Sequence, residues 1–475
     1  MVIDPREAEQ ALALVAERAR EYVAGLDERP VRAETVEEDA GSFAGPLPED
    51  GDGTLAALTA LLERGPDAAI ASSGPRFFHF VTGGSTPAAL GADWLASVLD
   101  QMAGGWIASP LAAELEVVSL DWLKDLFGLP AAWGGVLTTG ATMANFVGLA
   151  AARSWWAEQH GRDVNEHGLA GLPEVPVLSS GYIHASALKA LAMLGLGRGT
   201  VRTFGRDAVG RLDEEALAAA LRALDGAPAV IVANAGEVNA GDYDPIARLA
   251  DLAEERGAWL HVDGAFGLFA RATPRAAHLA EGVERADSVI ADGHKWLNVP
   301  YDCGFAFVRD GSALGRIFTP EAAYLPPPDD PRPNFGFLGP EMSRRGRSLA
   351  VWATLRAYGR RGYQELVEHH LDLAQRLGRL VDEAPDLELL APVPLNIVCF
   401  RFRPDGVSEA ELDELNARLG EELLADGRVY VGTTTYGGNV AFRPAIVNWR
   451  TRDADIDLVV EVVRELGAAL LARTK

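Results

Sequence analysis

Between about residues 129 and 310, short apolar runs take turns with longer amphipathic stretches. "GGVLTTG" leads into "ATMANFVGLAAARSWWAEQ", "VPVLSS" into "HASALKALAMLG", and "APAVIVANAG" into "DPIARLADLAEERG". "AWLHVDGAFG", "ADSVIADG" and "GFAFVRD" then follow in turn. Apolar runs of about four to eight residues alternating with helical periodicity predict an α/β domain with a mostly parallel, mixed sheet between helices. In such sheets ligands sit beyond the carboxyl ends of the strands, on the loops that lead into helices.

On either side the pattern changes. The first helix is expected over about 5–25, before the acidic, Gly- and Pro-marked "ERPVRAETVEEDAGSFAGPLPEDGDGT". The Pro-rich "YLPPPDDPRPNFGFLGP" breaks the alternation at 324–340, as a functional loop or a domain linker. A long helical stretch beginning "SLAVWATLRAYG" then leads to "NIVCFRFRP", "RVYVGTTT" and "GNVAFRPAIV", the pattern of a small α+β domain. The expected organisation is an N-terminal helical segment (1–95), a large domain (96–325) and a small C-terminal α+β domain (340–475).

Charge and composition narrow the function. A formal net charge of −25 repels nucleic-acid phosphates and anionic lipid, so neither nucleic acid nor membrane is expected as a partner. No apolar run is long enough to cross a bilayer, and the charged N-terminus does not read as a signal peptide. The two cysteines, Cys303 and Cys399, have no metal-ligand spacing and fit a reducing cytoplasm.

Of the 43 Lys and Arg residues, only four are lysines: Lys124, Lys189, Lys295 and Lys475. A chain that uses arginine for surface charge keeps Lys295 at the end of an apolar run, in "ADSVIADGHKW". A lysine amine forms Schiff bases with carbonyls, although a lysine that snorkels from a strand end is the plain alternative. Asp263, in "WLHVDGAFG", sits among apolar neighbours where an unpaired carboxylate is costly. Its partner is a protein cation, a helix N-terminus that it caps, or the protonated ring nitrogen of a bound cofactor. "TTGATMAN" (138–145) runs from strand to helix, and its small residues Gly140, Ala141 and Thr142 let backbone N–H groups reach an anion. His184 opens the next helix, either as its cap or as a ring stacked on a ligand.

Together these segments resemble the group II pyridoxal-phosphate-dependent amino-acid decarboxylases, of the aspartate aminotransferase superfamily. "HVDGAFG" is similar to the family's aspartate strand and "ADSVIADGHKW" to its Schiff-base segment; Asp263 and Lys295 lie 32 residues apart, as in the family. "PRFFHFVTGGSTPAALGADWL", "WIASPLAAELEVVSLDWL", "NAGEVNAGDYDPI" and "SRRGRSLAVWATLRAYG" extend the resemblance over about residues 70–450. The resemblance implies pyridoxal 5'-phosphate as cofactor, an amino acid as small-molecule substrate, and a homodimer with its active site at the interface. Lys295 would carry the cofactor as a Schiff base and Asp263 would face the ring nitrogen. Ala265 and His184 would flank the ring, and Gly140, Ala141, Thr142 and His294 would hold the phosphate. Thr82, Trp106, Phe335 and Arg443 would lie on the substrate side, with a structural ion pair as the alternative for Arg443.

Two departures from the family pattern leave the chemistry open. Phe335 falls where many aromatic decarboxylases carry a proton-donating tyrosine, and a phenylalanine there accompanies aldehyde synthases in plant relatives. Glu237 replaces a threonine near the cofactor's 3' oxygen, so it points away, is paired, or binds a substrate amine. Decarboxylation to an amine is expected; aldehyde synthase, aminotransferase or carbon–carbon lyase chemistry is the alternative. Trp106, Phe78, Phe80 and Phe335 favour an aromatic or apolar side chain on the substrate.

Overall fold

The computed structural model describes residues 4–320, 322–327 and 329–474, with the side chain of residue 474 excluded. Seven strands build the large sheet: β1 (Gly134–Thr138), β2 (Val177–Ser179), β3 (Val201–Thr203), β4 (Val230–Asn234), β5 (Trp259–Asp263), β6 (Ser288–Asp292) and β7 (Gly304–Val308). Their order is β1-β7-β6-β5-β4-β2-β3. Pairing is parallel from β6 through β5, β4 and β2 to β3, while β7 runs antiparallel to both β6 and β1. The apolar runs in the sequence are continuous because helices cover both faces; β4, β5, β6 and β7 are buried along their whole length.

The chain then returns through a helical stretch, Ser348–Glu383, broken at Gly359 where φ is +62°. A second sheet follows, with β8 (Leu387–Leu389), β9 (Phe400–Phe402), β10 (Thr433–Tyr436) and β11 (Asn439–Phe442). It is antiparallel throughout, in the order β10-β11-β9-β8, and packs with the helices Glu409–Asp426 and Asp453–Thr474. The N-terminal helices Glu7–Gly25 and Thr54–Ala68 bury none of their residues. No described helix is long and apolar enough to cross a membrane.

This architecture carries one threonine and two aspartates to the same end of the large sheet. Thr138, Asp263 and Asp292 are the last residues of β1, β5 and β6. The loops that leave those ends hold Gly140, Ala265, His294 and Lys295.

Candidate active site

The loop after β6 turns back on itself, with Gly293 and His294 N–H both donating to Cys303 O. That turn sets Lys295 Nζ 3.2 Å from Asp292 Oδ2 and His294 Nε2 3.5 Å from the same oxygen. Cys303 N–H donates to His294 Nδ1 at 3.1 Å, so the ring's proton sits on Nε2, facing Asp292. Burial lowers the His294 pKa against the opposing pull of Asp292. The Tyr301 ring stacks on His294 with centroids 4.2 Å apart, and its hydroxyl is 3.2 Å from Thr82 Oγ1. Thr82 is held beside the lysine loop because Gly83 donates to His294 O and has no room for a Cβ against Lys295 O. The Phe266 ring lies 5.8 Å from Lys295 Nζ.

Asp263 faces this loop from β5. Oδ2 accepts from Asn145 Nδ2 at 2.8 Å and Oδ1 from Ala265 N–H at 3.2 Å. His184 caps the helix Ala185–Met193, its Nδ1 accepting from Ser186 N–H (3.2 Å) and lying 2.7 Å from Ser186 Oγ. Nδ1 is therefore the acceptor and Nε2 carries the proton. Burial lowers the pKa of His184, and the charges that bear on it are those of Asp263, Lys295, Arg443 and Asp292.

Opposite Lys295, Gly140 precedes the helix Ala141–Glu158 with φ at +146°, a conformation that favours glycine. A Cβ there would meet His294 Cε1 at 2.9 Å and Asp292 Oδ1 at 3.5 Å. No side chain caps this helix, which leaves its first N–H groups without a side-chain acceptor. The arrangement fits a phosphorylated pyridine aldehyde: N–H groups at a helix start for the phosphate, an amine for the aldehyde, a buried acceptor for the ring nitrogen. Asp292 Oδ1 is buried without a hydrogen-bond partner and borders the cradle.

Trp106, Phe335 and Arg443 each have partners within the chain. Trp106 donates to Glu114 Oε1 and lies under the Arg332 guanidinium, 5.1 Å from the ring centroid. Phe335 is buried, with the Arg344 guanidinium 5.9 Å from its ring, and Gly336 N–H donates to Gly104 O. Arg443 donates to the carbonyls of Val238 (2.7 Å) and Phe80 (3.3 Å). Glu237 closes on its own loop: Asn239 N–H, Asn239 Nδ2 and Ala240 N–H all donate to its carboxylate. Burial raises the Glu237 pKa while those donors oppose it. Sequence reasoning missed Asn145, Asp292 and Tyr301. Asn145 ends the quoted turn one helical turn after Ala141, a spacing that aims it at the same side.

Residues 68–403 match the pyridoxal-dependent decarboxylase conserved domain. The chain belongs to this family. The decarboxylase is 30% identical to an aromatic-L-amino-acid decarboxylase of Bacillus atrophaeus over 400 residues, covering 83% of this chain and 81% of the relative. It is 29% identical to a phenylacetaldehyde synthase of Petunia hybrida over 418 residues, 84% of this chain and 81% of the other. A crystal structure of Oryza sativa TDC with PLP and tryptamine superposes with a TM-score of 0.90 at 26% identity, covering 99% of both chains. The cofactor of this enzyme is pyridoxal 5'-phosphate and its reaction is decarboxylation of an amino acid.

Proposed function

We propose that the enzyme converts an aromatic L-amino acid to its amine and CO2, with Lys295, Asp263 and His184 as the catalytic residues. The observation that carries this reading is the convergence of the Lys295 amine, the Asp263 carboxylate and the His184 ring on one cradle at the sheet edge. Relatives named for aromatic substrates support the substrate class.

When bound, the cofactor supplies an electron sink for the bond broken at the substrate's Cα. Lys295 Nζ, the amine nearest the cradle, would hold the cofactor by its aldehyde carbon. Asp263, accepting on both oxygens, presents a negative charge to the ring nitrogen. Gly140, Ala141 and Thr142 would hold the phosphate with His294, and Ala265 and His184 would bound the two faces of the ring. Thr82 and Trp106 face the substrate side, and Arg443 steadies the wall there through its carbonyl contacts. His184 Nε2–H and Lys295 Nζ are the groups that return a proton to Cα. Phe335 has no proton to give.

A second reading, decarboxylation coupled to oxidation to an aldehyde, is favoured by Phe335 alone. A panel of the twenty amino acids assayed for CO2, amine and peroxide tests both. Release of CO2 from tryptophan, tyrosine or phenylalanine with an equal yield of amine supports the first.

The same proposal includes a homodimer in the cytoplasm. Trp94, Leu95, Val98, Met102, Ile107 and Leu111 form an exposed apolar series, next to an open hollow of about 940 Å³ between the first helix and Trp449. A second copy of the chain suits that surface. Sedimentation should give twice the chain mass, and a fully active monomer at assay concentration would contradict it. Cys303 and Cys399 are both free and buried, which suits a reducing compartment.

A further inference from the structure

Behind Asp263 runs a buried polar chain whose every bond has one direction. An indole N–H can only donate, and Trp259 Nε1 donates to Ser288 Oγ at 2.9 Å. Ser288 Oγ lies 2.8 Å from His261 Nδ1, and the far end of the chain fixes that bond. The Asp263 carboxylate takes an amide N–H of Asn145, so Asn145 Oδ1 must accept from His261 Nε2, and Nδ1 accepts the Ser288 hydroxyl proton. His261 therefore carries its proton on Nε2 and donates it to Asn145 Oδ1 at 2.8 Å. With its oxygen taken, Asn145 turns its Nδ2 towards Asp263 Oδ2 (2.8 Å) and Ser186 Oγ (3.2 Å). Ser186 Oγ in turn serves His184 Nδ1 at 2.7 Å.

Asn145, His261 and Ser288 are completely buried. The helix makes room for this arrangement: a Cβ at Gly148 would fall 2.8 Å from His261 Cε1. A glycine inside a helix costs roughly 0.5–1 kcal/mol relative to alanine. The chain accepts that cost where it lets the imidazole reach Asn145. Were the imidazole tautomer reversed, the amide of Asn145 would turn over and present an oxygen to the Asp263 carboxylate.

We propose that Asn145 is a positioning residue for the cofactor ring: oriented by Trp259, Ser288 and His261, its Nδ2 aims the Asp263 carboxylate at the ring nitrogen. The inference rests on Asp263 as the partner of that nitrogen, as proposed above. A merely structural amide would support the fold around any ligand of the same shape; a positioning amide matters only when the ring nitrogen is present.

The test is a fluorescence titration of cofactor-free protein with pyridoxal phosphate and with its analogue in which C–H replaces the ring nitrogen. In Asn145→Leu the apparent Kd for pyridoxal phosphate should rise roughly tenfold, the scale of one hydrogen bond to a charged group. The Kd for the analogue should change by less than about twofold. Should Asn145→Leu fail to fold, Asn145→Ala is read in the same way. Equal weakening of both ligands would make Asn145 structural and overturn the inference. Asp263→Ala run in parallel separates the two ideas. Selective loss of pyridoxal phosphate there, with no selectivity in the Asn145 variants, removes this inference alone. No selectivity in either removes the Asp263 assignment as well.

Discussion

Lys295 Nζ and Asp292 Oδ2 are 3.2 Å apart, the aspartate ending β6 and the lysine three residues on in the loop that follows. The carboxylate is nearly inaccessible, and its other oxygen has no partner. The lysine therefore neutralises a buried charge as well as offering an amine. Lys295→Ala should abolish turnover and the visible absorbance of bound cofactor, with far-UV circular dichroism unchanged. Its melting temperature should fall, since Asp292 loses its cation. Turnover above about 1% of wild type would sink the assignment, given what an activated nucleophile contributes.

Asp263→Asn and Asp263→Ala should each lower kcat by at least about a hundredfold, because the ring nitrogen loses its charged partner. Steady-state assay at saturating cofactor measures this. An unchanged rate with cofactor bound would mark Asp263 as a purely structural carboxylate.

Phe335 bears on the product. It is packed within its own chain against Arg344 and the Gly104 turn, so Phe335→Tyr should change the decarboxylation rate little and lower stability slightly. Amine should equal CO2 in both proteins. Peroxide from the wild-type enzyme, stoichiometric with CO2, would promote the aldehyde reading, and Phe335→Tyr should then shift product towards amine.

Buried histidines set a pH dependence of stability. Burial pushes His261 down to about 4 and His370 down to about 3, from an ordinary 6.5. Below about pH 6.5 the unfolded chain binds protons that the folded protein refuses, so stability is lost as pH falls from there towards 4. Asp244 has the opposite sign: burial raises it to about 6, so it favours the folded state at the acid end of the same window. His370 accepts from Trp296 Nε1 and donates to Asn448 O, contacts a glutamine can imitate. His370→Gln should flatten the fall in unfolding free energy between pH 6 and 4 by roughly 1.4 kcal/mol per pH unit. An identical slope in urea titrations would mean that His370 is protonated in the folded protein.

Much of this was legible in the sequence. β1, β2, β4, β5, β6 and β7 all lie in the apolar runs, because a sheet covered on both faces needs unbroken apolar strands. The first helix, expected over about 5–25, spans Glu7–Gly25. β3 (Val201–Thr203) escaped notice because an edge strand half open to water has no such run, and β8 (Leu387–Leu389) is as short. Lys295 and Asp263 announced themselves by rarity and by apolar neighbours. Asn145 and His261 did not, since a polar residue on a helix or strand gains meaning only when folding brings its partners together. Glu237 kept three options in the sequence; the structure shows it paired with donors of its own loop.

The place of β7 between β1 and β6 bears on how the protein acquires its site. Gly134 pairs with Val308 and Thr138 with Gly304, partners more than 160 residues apart along the chain. β1 carries the turn at Gly140, yet it has no neighbour in the sheet until β7 has been made. Closing so large a loop is slow compared with forming local helices. During synthesis the Gly140 turn must wait, unpaired, for more than 160 further residues. Pulse-labelled hydrogen exchange should find β1 protected only after β4 and β5, so that the newborn chain cannot capture its cofactor until the last strand of the sheet slots home.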